Sequence, residues 1–129
     1  MILDTSVLIA LLRHEPGSGA LSEIVLANLG KLKISAAAYV EAGIVFDSNK
    51  DHELGDRLDA LIRKFEIEIV PIGFEQARHA RFAYRTYGKG NHPARLNFGD
   101  CFAYALAKAT GEPLLFKGDD FGHTDVMAA

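Results

Sequence analysis

The stretch "MILDTSVLIALLRHEP" (residues 1–16) decides the fold, because it joins a short apolar run to an apolar helix through three polar residues. Residues 1–3 are typical of a buried strand, and residues 6–13 have the composition of a helix. Asp4 then lies where the chain leaves the strand. It is suited to cap the helix, and in parallel α/β sheets this edge is also where ligands bind. The carboxylate therefore has two interpretations, a helix cap and a site residue.

Length and composition indicate one globular domain. The chain has 129 residues, 49% of them hydrophobic, and a net charge of −3, so any surface for nucleic acid must be local. A signal peptide needs basic residues before its apolar core, and this chain has none there. The apolar run is also too short to span a bilayer. The single cysteine, Cys101, lies in an apolar context and is predicted to pack in the core. We expect one domain over residues 1–129, without a membrane segment, in the cytoplasm.

Short apolar segments alternate with helical patterns along the chain. The predicted strands are residues 1–3, 32–35, 66–72 and 113–117. The predicted helices are residues 6–13, 19–30, 35–47, 51–65, 74–87 and 97–111, with Ser35 and Asn97 as N-caps. This alternation favours a parallel sheet covered by helices on both faces, an α/β fold.

Several other carboxylates fall on apolar faces or at strand ends. Glu41 lies in the middle of a helix, Asp100 lies in the first turn of another, and Asp119 and Asp120 follow the last strand. Each alone is also consistent with a cap or a hydrogen-bonded core acid. Together with Asp4 they favour a shared divalent cation, because an unpaired buried carboxylate is costly. Carboxylates suit Mg²⁺ or Mn²⁺, whereas the histidines lack the paired spacing of a zinc site.

A carboxylate-bound cation commonly acts on phosphates, and a basic segment for a polyanion is present. Residues 78–95 contain no acid. The candidate substrate-binding residues in this segment are Arg78, Arg81, Arg85, Lys89 and Arg95. The first three share one helical face, and the loop after the helix is expected to flex over RNA. An ordinary solvated helix face is the alternative interpretation.

Three other functions share parts of this pattern. A phosphotransferase of the haloacid-dehalogenase type needs an acid at position 6, where the chain has Ser6. A phosphoacceptor signalling domain needs an acidic pair on the first strand, whereas here the pair follows the last one. A non-catalytic RNA-binding module is the third alternative. Metal dependence of RNA cleavage separates a nuclease from all three.

The chain resembles the PIN-domain ribonucleases, specifically the VapC-type toxins of type II toxin–antitoxin systems. The resemblance rests on five segments in order: "MILDTS", "YVEAGIV", "AYRTYGKGNHPARLN", "LNFGDCFAYALAKATGEPLLFKGDDF" and "HTD". It implies a three-layer α/β/α domain with a central parallel sheet. It also implies a Mg²⁺- or Mn²⁺-dependent endoribonuclease that inhibits translation by cutting tRNA, rRNA or mRNA.

The same resemblance implies roles for individual residues. Asp4, Glu41 and Asp100 match the acidic metal site of the family. Asp119 and Asp120 both fit as a further catalytic acid, and Asp120 is the candidate for the fourth metal ligand. Ser6 matches a small polar residue that assists at the site. As partners the resemblance implies the RNA substrate, a cognate antitoxin that neutralises the toxin, and a second copy of the chain in a homodimer.

Overall fold

A parallel four-stranded sheet forms the centre of the protein. The structure is a computed structural model that describes all 129 residues. Its strands are β1 (Ile2–Leu3), β2 (Lys33–Ser35), β3 (Glu68–Val70) and β4 (Leu114–Leu115). They pair in the order β3-β2-β1-β4, every pair parallel. β1 therefore lies between β2 and β4, and the residue that follows it emerges at the middle of the carboxyl edge.

Helices connect the strands and cover the sheet. They are α1 (Thr5–Leu12), α2 (Ser18–Ala27), α3 (Ala36–Ser48), α4 (His52–Lys64), α5 (Phe74–Tyr87) and α6 (Phe98–Thr110), followed after β4 by a short 3-10 helix (Asp120–His123). All six predicted helices are present; the ends of α5 match the prediction, and those of the other five are shifted by one to three residues. The largest difference is in α2, which ends at Ala27, where the Asn28 side chain donates a hydrogen bond to the Ile24 carbonyl at 2.8 Å.

The predicted third strand is shorter than expected. Pairing covers only Glu68–Val70 of the predicted residues 66–72. Pro71 follows directly, and because proline has no N–H it cannot extend the ladder. β3 is also an edge strand, with only β2 as neighbour, so nothing on its other side lengthens it.

Two cores lie on opposite faces of the sheet. Ile2 and Leu114 belong to the core built with α5 and α6, whereas Leu3 and Leu115 belong to the core built with α1, α2, α3 and α4. Successive strand residues point to opposite faces, so this division confirms the predicted three layers. Cys101 is buried in the first core, as predicted. None of the helices has the length and apolar character that a bilayer crossing requires.

The amino edge of the sheet carries a compensated acid. Glu112 accepts hydrogen bonds from the Met1 amino group at 2.6 Å and from Lys33 Nζ at 2.5 Å. Burial opposes ionisation of Glu112, yet these two cations lower its pKa below the usual value. The amino ends of β1 and β2 and the segment before β4 are thereby joined by opposite charges.

We expect Phe46, in the core on the α1–α4 face, to contribute strongly to stability. Phe46 on α3 is fully buried, whereas Phe74 at the start of α5 is 81% exposed. Phe46→Ala should lower the free energy of unfolding by about 3–5 kcal/mol, because it removes a large buried side chain and leaves a cavity. Phe74→Ala should change it by less than about 0.5 kcal/mol. Urea denaturation of both variants measures this, and equal losses would contradict the assignment of the core.

Candidate active site

Four carboxylates gather at the carboxyl edge of the sheet around the end of β1. Asp4 follows β1 directly, Glu41 lies on α3 after β2, Asp100 lies in the first turn of α6, and Asp120 begins the 3-10 helix after β4. They are close enough for their charges to act on one another. Asp120 raises the pKa of Asp4, Asp4 raises that of Glu41, and all three raise that of Asp100.

Asp4 is both a helix cap and a member of this acidic cluster, so the cap is confirmed and the role as a site residue stays a prediction. Its side chain is nearly buried, and its Oδ2 accepts the Ser6 N–H at 3.0 Å as the N-cap of α1. Burial is the largest effect on its pKa and raises it. Hydrogen bonds from Ser6 and Thr5 oppose this rise, while the charge of Asp120 adds to it.

Asp100 is oriented by a capping box at the start of α6. Its Oδ2 accepts the Asn97 N–H at 3.0 Å, and Asn97 Oδ1 accepts the Asp100 N–H at 2.9 Å. Burial, followed by the charges of Asp4, Glu41 and Asp120, raises the pKa of Asp100 to about 7, although the Asn97 hydrogen bond opposes the shift. Such a perturbed carboxyl in a cluster of like charges is typical of a functional site.

Glu41 packs against the backbone of α6 at Gly99. A β-carbon at position 99 would overlap the Glu41 carboxyl group, so glycine leaves the space that this carboxylate occupies. Burial raises the pKa of Glu41 and the Asp4 charge adds to the rise, while the Thr5 side chain lowers it. Thr5 also donates a hydrogen bond to the Ala38 carbonyl at 3.2 Å, which ties α1 to α3 beside the cluster.

The adjacent acids Asp119 and Asp120 differ in their surroundings. Asp120 is half-buried and acts electrostatically on both Asp4 and Asp100, whereas Asp119 is exposed and is not among the charges that shift the pKa of Asp4, Glu41 or Asp100. The geometry therefore favours Asp120 as the fourth member of the cluster.

No cation of the chain neutralises these four acids. None of them forms an ion pair, and the basic residue closest in sequence to the 3-10 helix on its amino side, Lys117, pairs with Glu15 at 2.6 Å. The contrast with the paired Glu112 at the other edge is direct. As they stand, no three Asp, Glu, His or Cys side chains in the chain are placed to hold one metal ion together. What the cluster does offer is oxygen ligands only, on a half-buried surface with a strong excess of negative charge.

Ser6 links the cluster to the segment after β4. Its Oγ accepts the Lys117 N–H at 3.0 Å, and its side chain also forms a hydrogen bond that lowers the pKa of Asp4. Because an ionised carboxylate can only accept, the Ser6 hydroxyl is the donor in this contact. Ser6 thus positions Asp4 relative to the loop that carries Asp120.

Four of the five predicted substrate-binding residues line one or both of two grooves, and the fifth lies outside both. Arg78, Arg81 and Arg85 line one shallow groove of 230 Å³ on α5. Arg81 and Lys89 also line a larger groove between α5 and α6. Arg95 lines neither. All five are exposed, and none is engaged in an ion pair within the chain.

The loop after α5 is held at its base, which limits the flexing expected from its glycines. Leu96 accepts a hydrogen bond from the Lys89 N–H and donates one to the Tyr87 carbonyl, both at 2.9 Å. The His92 ring stands edge-on to Tyr87 with centroids 5.0 Å apart. Movement over a substrate is thus confined to the residues between these anchors.

Sequence reasoning missed three contributors to this region. Thr5 stands inside the quoted "MILDTS", yet only the fold brings its hydroxyl to Glu41. Gly99 stands inside "NFGDCF", where a glycine in a first helical turn is the available signal. The aromatic groove between α5 and α6 has no signal in either helix alone, because each supplies only one wall.

Comparisons with known proteins agree with this geometry. The family model for the PIN domain matches residues 1–127. Ribonuclease VapC28 of Mycobacterium tuberculosis is 51% identical over an alignment that covers the whole chain and 97% of that protein. Ribonuclease VapC of Mycolicibacterium smegmatis is 46% identical, covering 99% of this chain and 98% of the relative.

A solved structure has the same fold. The crystal structure of Mycobacterium tuberculosis VapC20, described as a sarcin–ricin loop cleaving toxin, superposes with a TM-score of 0.80 at 13% identity and covers 99% of this chain and 97% of its own. A toxin–antitoxin complex from Klebsiella pneumoniae superposes with a TM-score of 0.73 at 17% identity, covering 99% of this chain and 95% of the matched chain. These two likenesses concern the fold, whereas the full-length identity above concerns the family. The chain therefore belongs to the PIN-domain family and, within it, to the VapC ribonucleases.

Proposed function

We propose that this VapC ribonuclease is a divalent-cation-dependent endoribonuclease toxin, acting in the cytoplasm on RNA of the translation machinery. The observation that carries the proposal is the cluster of Asp4, Glu41, Asp100 and Asp120, with no cation of the chain beside it; burial and then the charges of the neighbouring acids raise the pKa of the first three. Retaining such a cluster is costly for a fold unless the charge has a use.

The donor chemistry of the cluster fits Mg²⁺ or Mn²⁺. All four side chains are carboxylates, which these hard cations prefer, and no thiol or imidazole competes among them. Asp4, Glu41, Asp100 and Asp120 would hold the ion once their side chains turn towards it, since no three of them are so placed without it. When bound, such an ion polarises a phosphoryl oxygen and lowers the pKa of its water.

The residues of the chain prepare the site in ways that do not depend on the ion. The capping box fixes the Asp100 carboxylate through one oxygen, Oδ2, and the other oxygen remains available. The Ser6 N–H donates to Asp4 Oδ2, and the Thr5 hydroxyl joins α1 to α3 beside Glu41. Rigid placement of this kind lets charged groups act on a phosphodiester without reorganising during the reaction.

The arginines of α5 supply the complementary charge for the RNA backbone. Arg78, Arg81 and Arg85 share one exposed groove without internal partners, so their charge is available for phosphates. Contacts of this kind position a substrate without reading its sequence.

Two protein partners belong to the same proposal. An acidic site that lacks a cation of its own is complementary to an Arg- or Lys-bearing arm of a cognate antitoxin. A homodimer is supported by the exposed apolar residues Val40 and Ile44 on α3, which are 54% and 58% exposed. Co-purification with the product of an adjacent gene tests the first partner, and sedimentation of the isolated chain tests the second.

The first test is cleavage of RNA with and without the ion. Total RNA should be cut in Mg²⁺ or Mn²⁺ and left intact in excess EDTA, and the products should carry 5′-phosphate and 3′-hydroxyl ends, because water is the nucleophile. Asp4→Asn and Asp120→Asn should abolish cleavage, whereas Asp119→Asn should retain most of it. Mapping RNA 5′ ends measures all of these. Products with 2′,3′-cyclic phosphates, or full activity of Asp4→Asn, would refute the metal-site proposal.

The second test is the pH dependence of stability in EDTA. An unfolded Asp loses its proton near pH 3.8, whereas folded Asp100 keeps it to about pH 7. The unfolded state therefore binds fewer protons across this window, and the free energy of unfolding falls as the pH rises through it. Asp100→Asn keeps the cap but removes this penalty, so above pH 7 it should stabilise the metal-free protein by on the order of 1 kcal/mol.

Thermal melts of Asp100→Asn, Asp119→Asn and the parent at pH 5 and pH 8 measure this effect. The melting temperature of Asp100→Asn should gain on the parent as the pH rises, while Asp119→Asn should show no such gain. Added Mg²⁺ should raise the melting temperature of the parent more than that of Asp100→Asn, because the ion binds the folded state. A pH-independent difference would argue against like-charge repulsion at Asp100.

The third test concerns the arginines of α5. Replacing Arg78, Arg81 and Arg85 together by alanine should weaken binding to single-stranded RNA and lower the log–log salt slope by ~0.7 for each phosphate that the protein no longer neutralises. Replacing the exposed Arg57, Arg63 and Lys64 of α4 removes the same charge elsewhere and serves as the matched control. Fluorescence anisotropy over a range of salt concentrations gives both slopes. If both triple variants behave alike, α5 is an ordinary solvated face.

A further inference from the structure

The largest groove of the protein lies between α5 and α6 and is lined by aromatic and small residues. Its volume is 610 Å³, within the range of ligand sites. Ala77 and Ala80 of α5 leave the space open, and Tyr84, Phe98 and Phe102 provide ring surfaces around it. A groove of this composition on a ribonuclease needs an occupant with a flat apolar face.

Two of these rings are exposed, and one of them contacts a third ring. Phe98 is 77% exposed and Tyr84 is 49% exposed. Phe98 stands edge-on to Phe102 with centroids 4.9 Å apart and planes at 79°, which fixes its orientation. The Tyr84 hydroxyl forms no hydrogen bond within the chain. Exposed ring faces of this kind offer a stacking platform for a flat ligand group.

The rim of the groove carries positive charge and a free amide. Arg81 and Lys89 line the groove, and Arg81 is shared with the neighbouring groove of Arg78 and Arg85. Asn97 uses its Oδ1 to accept the Asp100 N–H, while its Nδ2 donates no hydrogen bond within the chain. The groove thus offers ring faces, cations for phosphates and one free donor for the edge of a base.

The groove is continuous with the acidic cluster. Asn97 lines the groove and forms the capping box with Asp100. Phe98 is followed directly by Gly99, against which Glu41 packs. A ligand that extends from the acidic cluster over the start of α6 therefore enters the groove within one helical turn.

We propose that the groove between α5 and α6 holds an unpaired nucleobase of the RNA next to the phosphate that is cut, stacked on Tyr84 and Phe98. Arg81 and Lys89 hold the adjoining phosphates, and Asn97 contacts the edge of the base. This inference rests on the proposed nuclease function and makes the groove a determinant of substrate choice. It predicts a preference for single-stranded RNA or loops, because a base within a duplex cannot enter.

The experiment compares RNA with and without bases. Binding of a short labelled oligoadenylate and of an abasic ribose-phosphate chain of equal length is measured by anisotropy in EDTA, where no cleavage occurs. The parent should bind oligoadenylate about tenfold more tightly, which equals ~1.4 kcal/mol and lies within the range for stacking of one base on an aromatic ring. Equal affinities for the two probes would overturn the proposal.

Paired variants separate stacking from general apolar contact. Tyr84→Leu and Phe98→Leu should lose most of the tenfold preference without changing the affinity for the abasic chain. Tyr84→Phe and Phe98→Tyr should retain it, because they keep the ring. Phe74→Leu, an exposed ring at the start of α5 outside the groove, is the matched control. Leucine variants that bind both probes like the parent would overturn the proposal.

The same proteins distinguish this inference from the function on which it rests. Metal-dependent cleavage by the parent together with parental binding by the leucine variants would leave the nuclease and remove the base site. Base-dependent binding without cleavage would leave the base site and refute the proposed nuclease function. If the leucine variants instead change the sedimentation of the protein and not its RNA affinity, the groove is an interface between copies and the base site is refuted.

Discussion

Negative charge without compensation at the carboxyl edge of the sheet is the constraint on which the rest of the site depends. The fold does not avoid pairing in general, since Glu112 at the amino edge is joined to two cations. At the opposite edge four carboxylates meet instead with only hydrogen bonds to hold them. The parallel topology creates this arrangement, because the segments that follow β1, β2 and β4 all emerge at one edge. Stability is lost there so that the charge is available for function.

Helix α6 links the chemistry of this edge to recognition of the substrate. Its first turn carries Asp100, its N-cap residue Asn97 orients that carboxylate, and Phe98 faces the groove shared with α5. Its buried face packs against the sheet through residues such as Tyr104. A helix anchored in the core in this way leaves the acid and the ring little freedom to move. Cleavage at one defined phosphodiester requires such fixed placement.

Much of the fold follows from local patterns, whereas the site follows only in part. Helix and strand periodicity locate every helix and strand of the sheet, and N-cap preferences identify Ser35 and Asn97. The acids stand out because Glu41 and Asp100 lack partners on their own helices. Sequence alone does not decide between Asp119 and Asp120, because adjacent residues in a turn differ only in how the turn folds. Thr5, Gly99 and the aromatic groove depend on contacts between distant elements; a glycine in a first helical turn is the one local signal among them.

The contact between Gly99 and Glu41 has a consequence for how this toxin can be lost. A carboxylate that packs against bare backbone makes the absence of a side chain a functional requirement. Any replacement at position 99 displaces Glu41 while leaving all four acids, the basic groove and the core unchanged. In a population of cells selected to survive expression of the active protein, inactivating mutations should therefore accumulate at the codon of Gly99, although glycine has no functional group. A glycine is then as vulnerable a point in this enzyme as the carboxylates that we propose to be catalytic.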